Sequence, residues 1–119
     1  MDANKFQEEC IRTGTNNPLA PTERYRKLNF ALGLAGEAGE TADLIKKVIF
    51  HGRDYDRKKL LLELGDVAWY LAMLAHEYEF TLHEIMEANV AKLRARYSVG
   101  FNIEEANVRK DEVSGGDKL

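Results

Sequence analysis

Residues Thr22 to Gly52 read TERYRKLNFALGLAGEAGETADLIKKVIFHG, a run that contains no proline. The chain's two prolines, Pro18 and Pro21, both precede it, so nothing downstream forbids long helices. No short alternating apolar–polar stretch bounded by turn residues stands out anywhere as a strand. The fold class read from this pattern is all-α, a bundle of four to five helices. Thr22 is the expected N-cap of the long helix. His51-Gly52 is its expected stop, because glycine takes the left-handed C-cap conformation at little cost. A shorter helix is expected before it, from Ala3 to Arg12 and ending ahead of Gly14. Asp56 is the expected cap of a third helix reaching about Tyr78. Thr81 with Glu84 three residues on forms a capping box for a fourth, from Leu82 to about Tyr97. Residues 1–107 read as a single domain and 108–119 as a polar, disordered tail.

The composition narrows the function classes. Of 119 residues, 45% are hydrophobic and 31% charged, the balance of an ordinary water-soluble domain. Twenty acidic groups against 17 basic ones give a net charge of −3, which argues against a nucleic-acid polymer as partner. The one cysteine, Cys10, makes no intramolecular disulfide and no paired-thiolate zinc site. No stretch approaches the ~20 apolar residues of a membrane span. Met1-Asp2-Ala3-Asn4-Lys5 lacks the apolar core of a signal peptide. A cytoplasmic, non-membrane protein is expected.

Two features of the long helices are unusual. Gly33, Gly36 and Gly39 recur at spacing three inside the second helix, each costing about 0.5–1 kcal/mol relative to alanine. Close approach of another helix is the expected compensation. Leu60 to Ala75 is apolar around most of its circumference, more than three helices of so short a chain can cover. A homo-oligomer is therefore expected.

Acidic residues interrupt these helices in two pairs, Glu37 with Glu40 and Glu63 with Asp66. Spacing three places each pair on one helix face. An unpaired carboxylate amid Leu60, Leu61, Leu62, Leu64 and Val67 is costly unless it is neutralised, hydrogen-bonded or bound to a cation. If the two helices run antiparallel, both pairs meet, and such a set of hard oxygen ligands suits Mg²⁺, with Mn²⁺ as a substitute. A di-iron bundle would need Glu-x-x-His pairs. His51, His76 and His83 are preceded at that spacing by Val48, Met73 and Phe80, so that signature is absent. On the fourth helix Asn89, Lys92 and Arg96 share a face that suits a polyphosphate. Lys47, two turns after Glu40, is a further phosphate candidate. Tyr70, one turn after Asp66, is a candidate to stack on a base or ribose, with core packing as the competing reading. Trp69 reads as core or interface.

The segments Gly33-Leu34-Ala35-Gly36-Glu37-Ala38-Gly39-Glu40 and Glu63-Leu64-Gly65-Asp66-Val67 together resemble the MazG-type all-α nucleoside triphosphate pyrophosphohydrolases, small single-domain branch. Asn89-Val90-Ala91-Lys92-Leu93-Arg94-Ala95-Arg96-Tyr97 resembles that family's last core helix. The resemblance implies cleavage of a ribo- or deoxyribonucleoside triphosphate between its α and β phosphates. It implies Mg²⁺ on Glu37, Glu40, Glu63 and Asp66; Glu40 and Glu63 are taken as catalytic, with Glu40 chosen as general base among carboxylates that the motif does not distinguish. It places phosphates on Lys47, Asn89, Lys92 and Arg96, beside Tyr70 as the nucleotide-binding candidate read from its position, and implies a homo-dimer or tetramer. Ser98 stands where the family often has proline, which bears on the helix end rather than the chemistry. A non-catalytic Mg²⁺- and nucleotide-binding oligomer, acting as a sensor or partner module, is the competing reading; the presence of all four carboxylates counts against it. Related all-α folds acting on deoxyuridine nucleotides or on a phosphoribosyl-ATP intermediate fit the glycine-rich motif and last helix less well.

Overall fold

A computed structural model describes residues 1–97 and 99–108. Among them are five helices and no strand: α1 (Ala3–Gly14), α2 (Glu23–His51), α3 (Arg57–Glu77), α4 (Leu82–Arg96) and α5 (Ile103–Val108). The expected all-α class holds. The helix starts follow their caps. Asp2, Thr22 and Asp56 each accept a hydrogen bond from the backbone N–H three residues on, at 2.9, 3.2 and 3.0 Å. Gly52 ends α2 in the left-handed region at φ 66°, its N–H donating to the Lys47 carbonyl. α1 runs two residues beyond the expected Arg12 and takes in Gly14. The reason is tertiary: a Cβ on Gly14 would lie 2.7 Å from Met73 Cε and 2.8 Å from Trp69, so only glycine lets this turn close on α3.

The chain forms two compact units, Met1–Leu82 and a second beginning at His83. In the first, α3 packs against both α1 and α2. Cys10, Phe30, Ala72, Met73 and Leu82 form its buried cluster, with Phe6, Ile11, Trp69, Tyr70 and Leu74 packed around them. Gln7 is the polar member of this interior, 5% exposed and fully engaged. Its Nε2 donates to the carbonyls of Ala72 (3.1 Å) and Phe80 (3.0 Å), and its Oε1 accepts from the Leu82 N–H (2.9 Å). One side chain thus ties α1 to the C-terminal part of α3 and to the turn that follows. In the second unit the Tyr97 and Phe101 rings lie 5.5 Å apart, and Asn102 caps α5 by accepting from the Glu105 N–H. Of the expected tail, Val108 ends α5, and 109–119 lie outside the described residues, as does Ser98.

The glycine expectation divides. A Cβ on Gly33 would overlap the Tyr70 ring, so close approach explains this glycine. Gly36 and Gly39 have no atom of the described residues within 4 Å of such a Cβ, so the same explanation fails for them within one chain.

The turn after α3 carries local strain. Phe80 N–H donates to Ala75 O (2.9 Å) and Glu79 N–H to His76 O (3.0 Å), the pairing of a Schellman turn. The residue in its left-handed position is Glu79, at φ 61°, where glycine is usual. Glu79→Gly is expected to stabilise the fold by about 0.5–1 kcal/mol. Gln7→Ala, which leaves buried backbone groups without partners, is expected to cost about 2–4 kcal/mol. Urea titration of both variants checks the opposite signs.

Candidate active site

Two contacts set the register of α2 on α3. The connection between them, residues 52–56, is short enough to require an antiparallel return. The Tyr70 ring lies on the bare backbone of Gly33. One turn up α2 from Gly33 is Glu37, and one turn back along α3 from Tyr70 is Asp66, with Glu63 a further turn on. Carboxylate oxygens of Glu37, Glu63 and Asp66 accordingly lie within 4.8 Å of one another. Thr41 supports the first of these helices here, its hydroxyl donating to the Glu37 carbonyl at 2.9 Å.

This geometry is electrostatically unfavourable by itself. Glu37 Oε2 and Glu63 Oε2 are both buried and lack a hydrogen-bond partner among the described residues. The Glu37 carboxyl is pushed up to about 7: burial is the main cause, followed by the charges of the neighbouring carboxylates Glu40, Asp66 and Glu63. Buried, unpartnered, converging oxygens of hard carboxylates fit a divalent cation such as Mg²⁺ or Mn²⁺.

The remaining expected residues are placed differently. Glu40 is exposed and outside the 4.8 Å group, though close enough for its charge to act on Glu37. Lys47 is held by Asp43, Nζ to Oδ2 at 2.7 Å, and the Asp43 carboxyl is lowered chiefly by that hydrogen bond. Asp43 was not singled out in the sequence, although its spacing of four from Lys47 is the signal of a helix ion pair. Tyr70 is partly buried against the core, its ring edge-on to Trp69 at 4.9 Å, and so performs the packing role foreseen for it as the competing reading. Asn89, Lys92 and Arg96 lie on α4 in the second unit, the first two exposed and Arg96 half-buried. A group missed in the sequence surrounds the end of α1. Trp69 Nε1 donates to Thr13 Oγ1 (2.8 Å), and these two residues line a cavity together with Asn29.

A family model described as the MazG nucleotide pyrophosphohydrolase domain matches residues 26–101. The chain belongs to this family. The match takes in all four acidic positions and the α4 stripe. The Gene 37 protein of Mycobacterium phage L5 is 41% identical to this MazG chain over 76 residues, covering 58% of the chain and 64% of that protein. The chain thus spans a little under two thirds of that relative's length. No solved structure matches it. No helix among the described residues is long and apolar enough to cross a membrane.

The raised Glu37 group makes stability depend on pH with a definite sign. Between the ordinary value of 4.5 and about 7, the folded chain holds a proton that the unfolded chain has released. Metal-free protein should therefore lose thermal stability as pH rises through that window. Mg²⁺ or Mn²⁺ competes with the same proton and should raise the melting temperature most above pH 7. Glu37→Gln should flatten both responses; scanning calorimetry across the window, with and without cation, checks them.

Proposed function

We propose that the chain is an Mg²⁺-dependent nucleoside triphosphate pyrophosphohydrolase, with Mn²⁺ as a substitute ion, releasing nucleoside monophosphate and pyrophosphate from ribo- or deoxyribonucleotides. The observation that carries this reading is the convergence of Glu37, Glu63 and Asp66 with two buried, unpartnered oxygens, in a chain of the MazG family.

Glu37, Glu63 and Asp66 would hold the ion, with Glu40 completing the acidic set from its exposed position. The chemistry such an ion supplies is neutralisation of phosphate charge and acidification of water. Glu40 is assigned as general base: it accepts a proton from the water whose oxygen adds to the α-phosphorus, while the bond from that phosphorus to the bridging oxygen breaks. The electron pair of the broken bond leaves with pyrophosphate. Lys47, Asn89, Lys92 and Arg96 are assigned to the phosphates, where cationic and amide donors offset the charge gathering on the leaving group. A phosphate would compete with Asp43 for the Lys47 ammonium. Tyr70 is assigned a positioning role through its seat on Gly33, beside the sugar. The buried thiol of Cys10, its ionisation pushed up by burial, fits a cytoplasmic protein.

The test is an ion-exchange assay of the eight common nucleoside triphosphates with and without Mg²⁺. Metal-dependent monophosphate and pyrophosphate are expected, falling by about 10²–10⁴-fold in Glu40→Gln and strongly reduced in Glu63→Gln. Diphosphate with orthophosphate would overturn the reaction. Saturable nucleotide binding without turnover would favour the non-catalytic sensor or partner module.

The same chain leaves much apolar surface open. Ile49, Phe50, Leu61, Leu62 and Leu64 are each more than half exposed, all on the parts of α2 and α3 away from the buried cluster. Exposure on this scale supports a homo-dimer or tetramer as the working form. Sedimentation equilibrium should give a mass of two or four chains, and Leu62→Glu should shift it toward one.

A further inference from the structure

A cavity of about 310 Å³ lies in the first unit, lined by Thr15, Arg26, Asn29, Phe30, Trp69 and Tyr70 among others. Its aromatic wall is fixed in place. The Trp69 indole is locked by its hydrogen bond to Thr13, whose hydroxyl is also within 2.9 Å of the Cys10 carbonyl. Phe30 and Tyr70 meet that indole edge-on at 5.9 and 4.9 Å. Arg26 is held at Nε by both carboxylate oxygens of the nearly buried Glu77, at 3.0 and 3.1 Å. Against these committed groups, the Asn29 carboxamide and Thr15 hydroxyl have no partner among the described residues. The wall is thus rigid and aromatic, and the Asn29 carboxamide and Thr15 hydroxyl are among the polar groups open to hydrogen bonding along it. A planar heteroaromatic ring with hydrogen-bonding edges matches that combination. The larger open groove beside Tyr78 offers less, since Lys27 there is already bound to Glu23 and to the Tyr78 ring.

The cavity's place in the sequence of contacts adds to this. Tyr70 is one turn along α3 from Asp66, about 6 Å of helix rise, roughly the reach of the sugar between a base and its α-phosphate. Asn29 is one turn before Gly33 on α2, on the far side of Tyr70 from the carboxylates. We infer that this cavity receives the nucleobase, that Trp69 and its ring neighbours form its wall, and that the Asn29 carboxamide reads the base edge. The inference rests on the nucleotide reading above and adds to it the residue that sets base preference. A carboxamide presents one donor and one acceptor; a carboxylate presents acceptors alone. Guanine is the base whose edge offers two adjacent donors, so Asn29→Asp should tilt preference toward it.

Trp69 is the chain's sole tryptophan, so its fluorescence reports on this cavity directly. The experiment titrates the full chain, without metal, with the ribo- and deoxyribonucleoside 5′-monophosphates, exciting at the red edge of the indole band. Saturable quenching is expected. Asn29→Ala should weaken it about three- to tenfold for the preferred base, the worth of one hydrogen bond. Asn29→Asp should raise the affinity ratio of guanine to the other bases several-fold. Asn29 is exposed on a helix, and circular dichroism verifies that both variants fold. Absence of quenching, or base affinities unchanged in both variants, would overturn the inference. Triphosphate hydrolysis measured on the same samples separates the two readings. Turnover without a Trp69 response removes the base site and leaves the reaction standing. A Trp69 response that depends on Asn29, without turnover, does the reverse.

Discussion

The seat of the Tyr70 ring on Gly33 is the contact from which the rest of the first unit takes its register. With no Cβ at Gly33, the two long helices approach until the ring meets backbone. From that point each turn along α2 is matched by a turn back along α3. Glu37 is thereby brought to Asp66 and Glu63 rather than to Leu64 between them. A side chain at Gly33 would push the helices apart or rotate one of them, and the acidic group would lose its geometry. The cost of glycine in a helix is offset here by a packing contact that fixes a charged site four residues away.

The unit is divided along its length. Its dry end is organised by Cys10, Phe30, Ala72 and Met73, with Gln7 satisfying the backbone groups that the helix ends leave over. Its other end carries the carboxylates and a row of uncovered leucines and isoleucines. Burial first, and then the like charges drawn around it, raise the Glu37 carboxyl to about 7, so the metal-free chain loses stability at this end as pH rises to neutrality. Stability and charge density are thus held at opposite ends of the same pair of helices. This arrangement lets an acidic centre persist in a small domain without dissolving its core.

Particular residues show how far the sequence reached. Thr22, Asp56 and Gly52 act where local chemistry says a cap should act, because capping involves only neighbours within a turn. The end of α1 was misread at Arg12, since Gly14 is helical for a reason that lies on α3. The three glycines looked equivalent, yet only Gly33 meets a ring. Spacing records which face a residue occupies and carries no information about what stands opposite. The same limit applies to Asn29 and Thr13, whose shared cavity joins segments far apart in the chain.

Periodicity, the absence of proline after Pro21, the caps and the paired acidic residues determined the helical class, the helix starts and the acidic positions, because each depends on contacts within a few residues. The tertiary structure decided which of those acids converge, leaving Glu40 outside the closest group, and turned Tyr70 into a register-setting contact. It also enclosed Trp69 in a cavity wall. These outcomes depend on distances between helices. Such distances follow from the fit of one surface against another, which no single segment encodes.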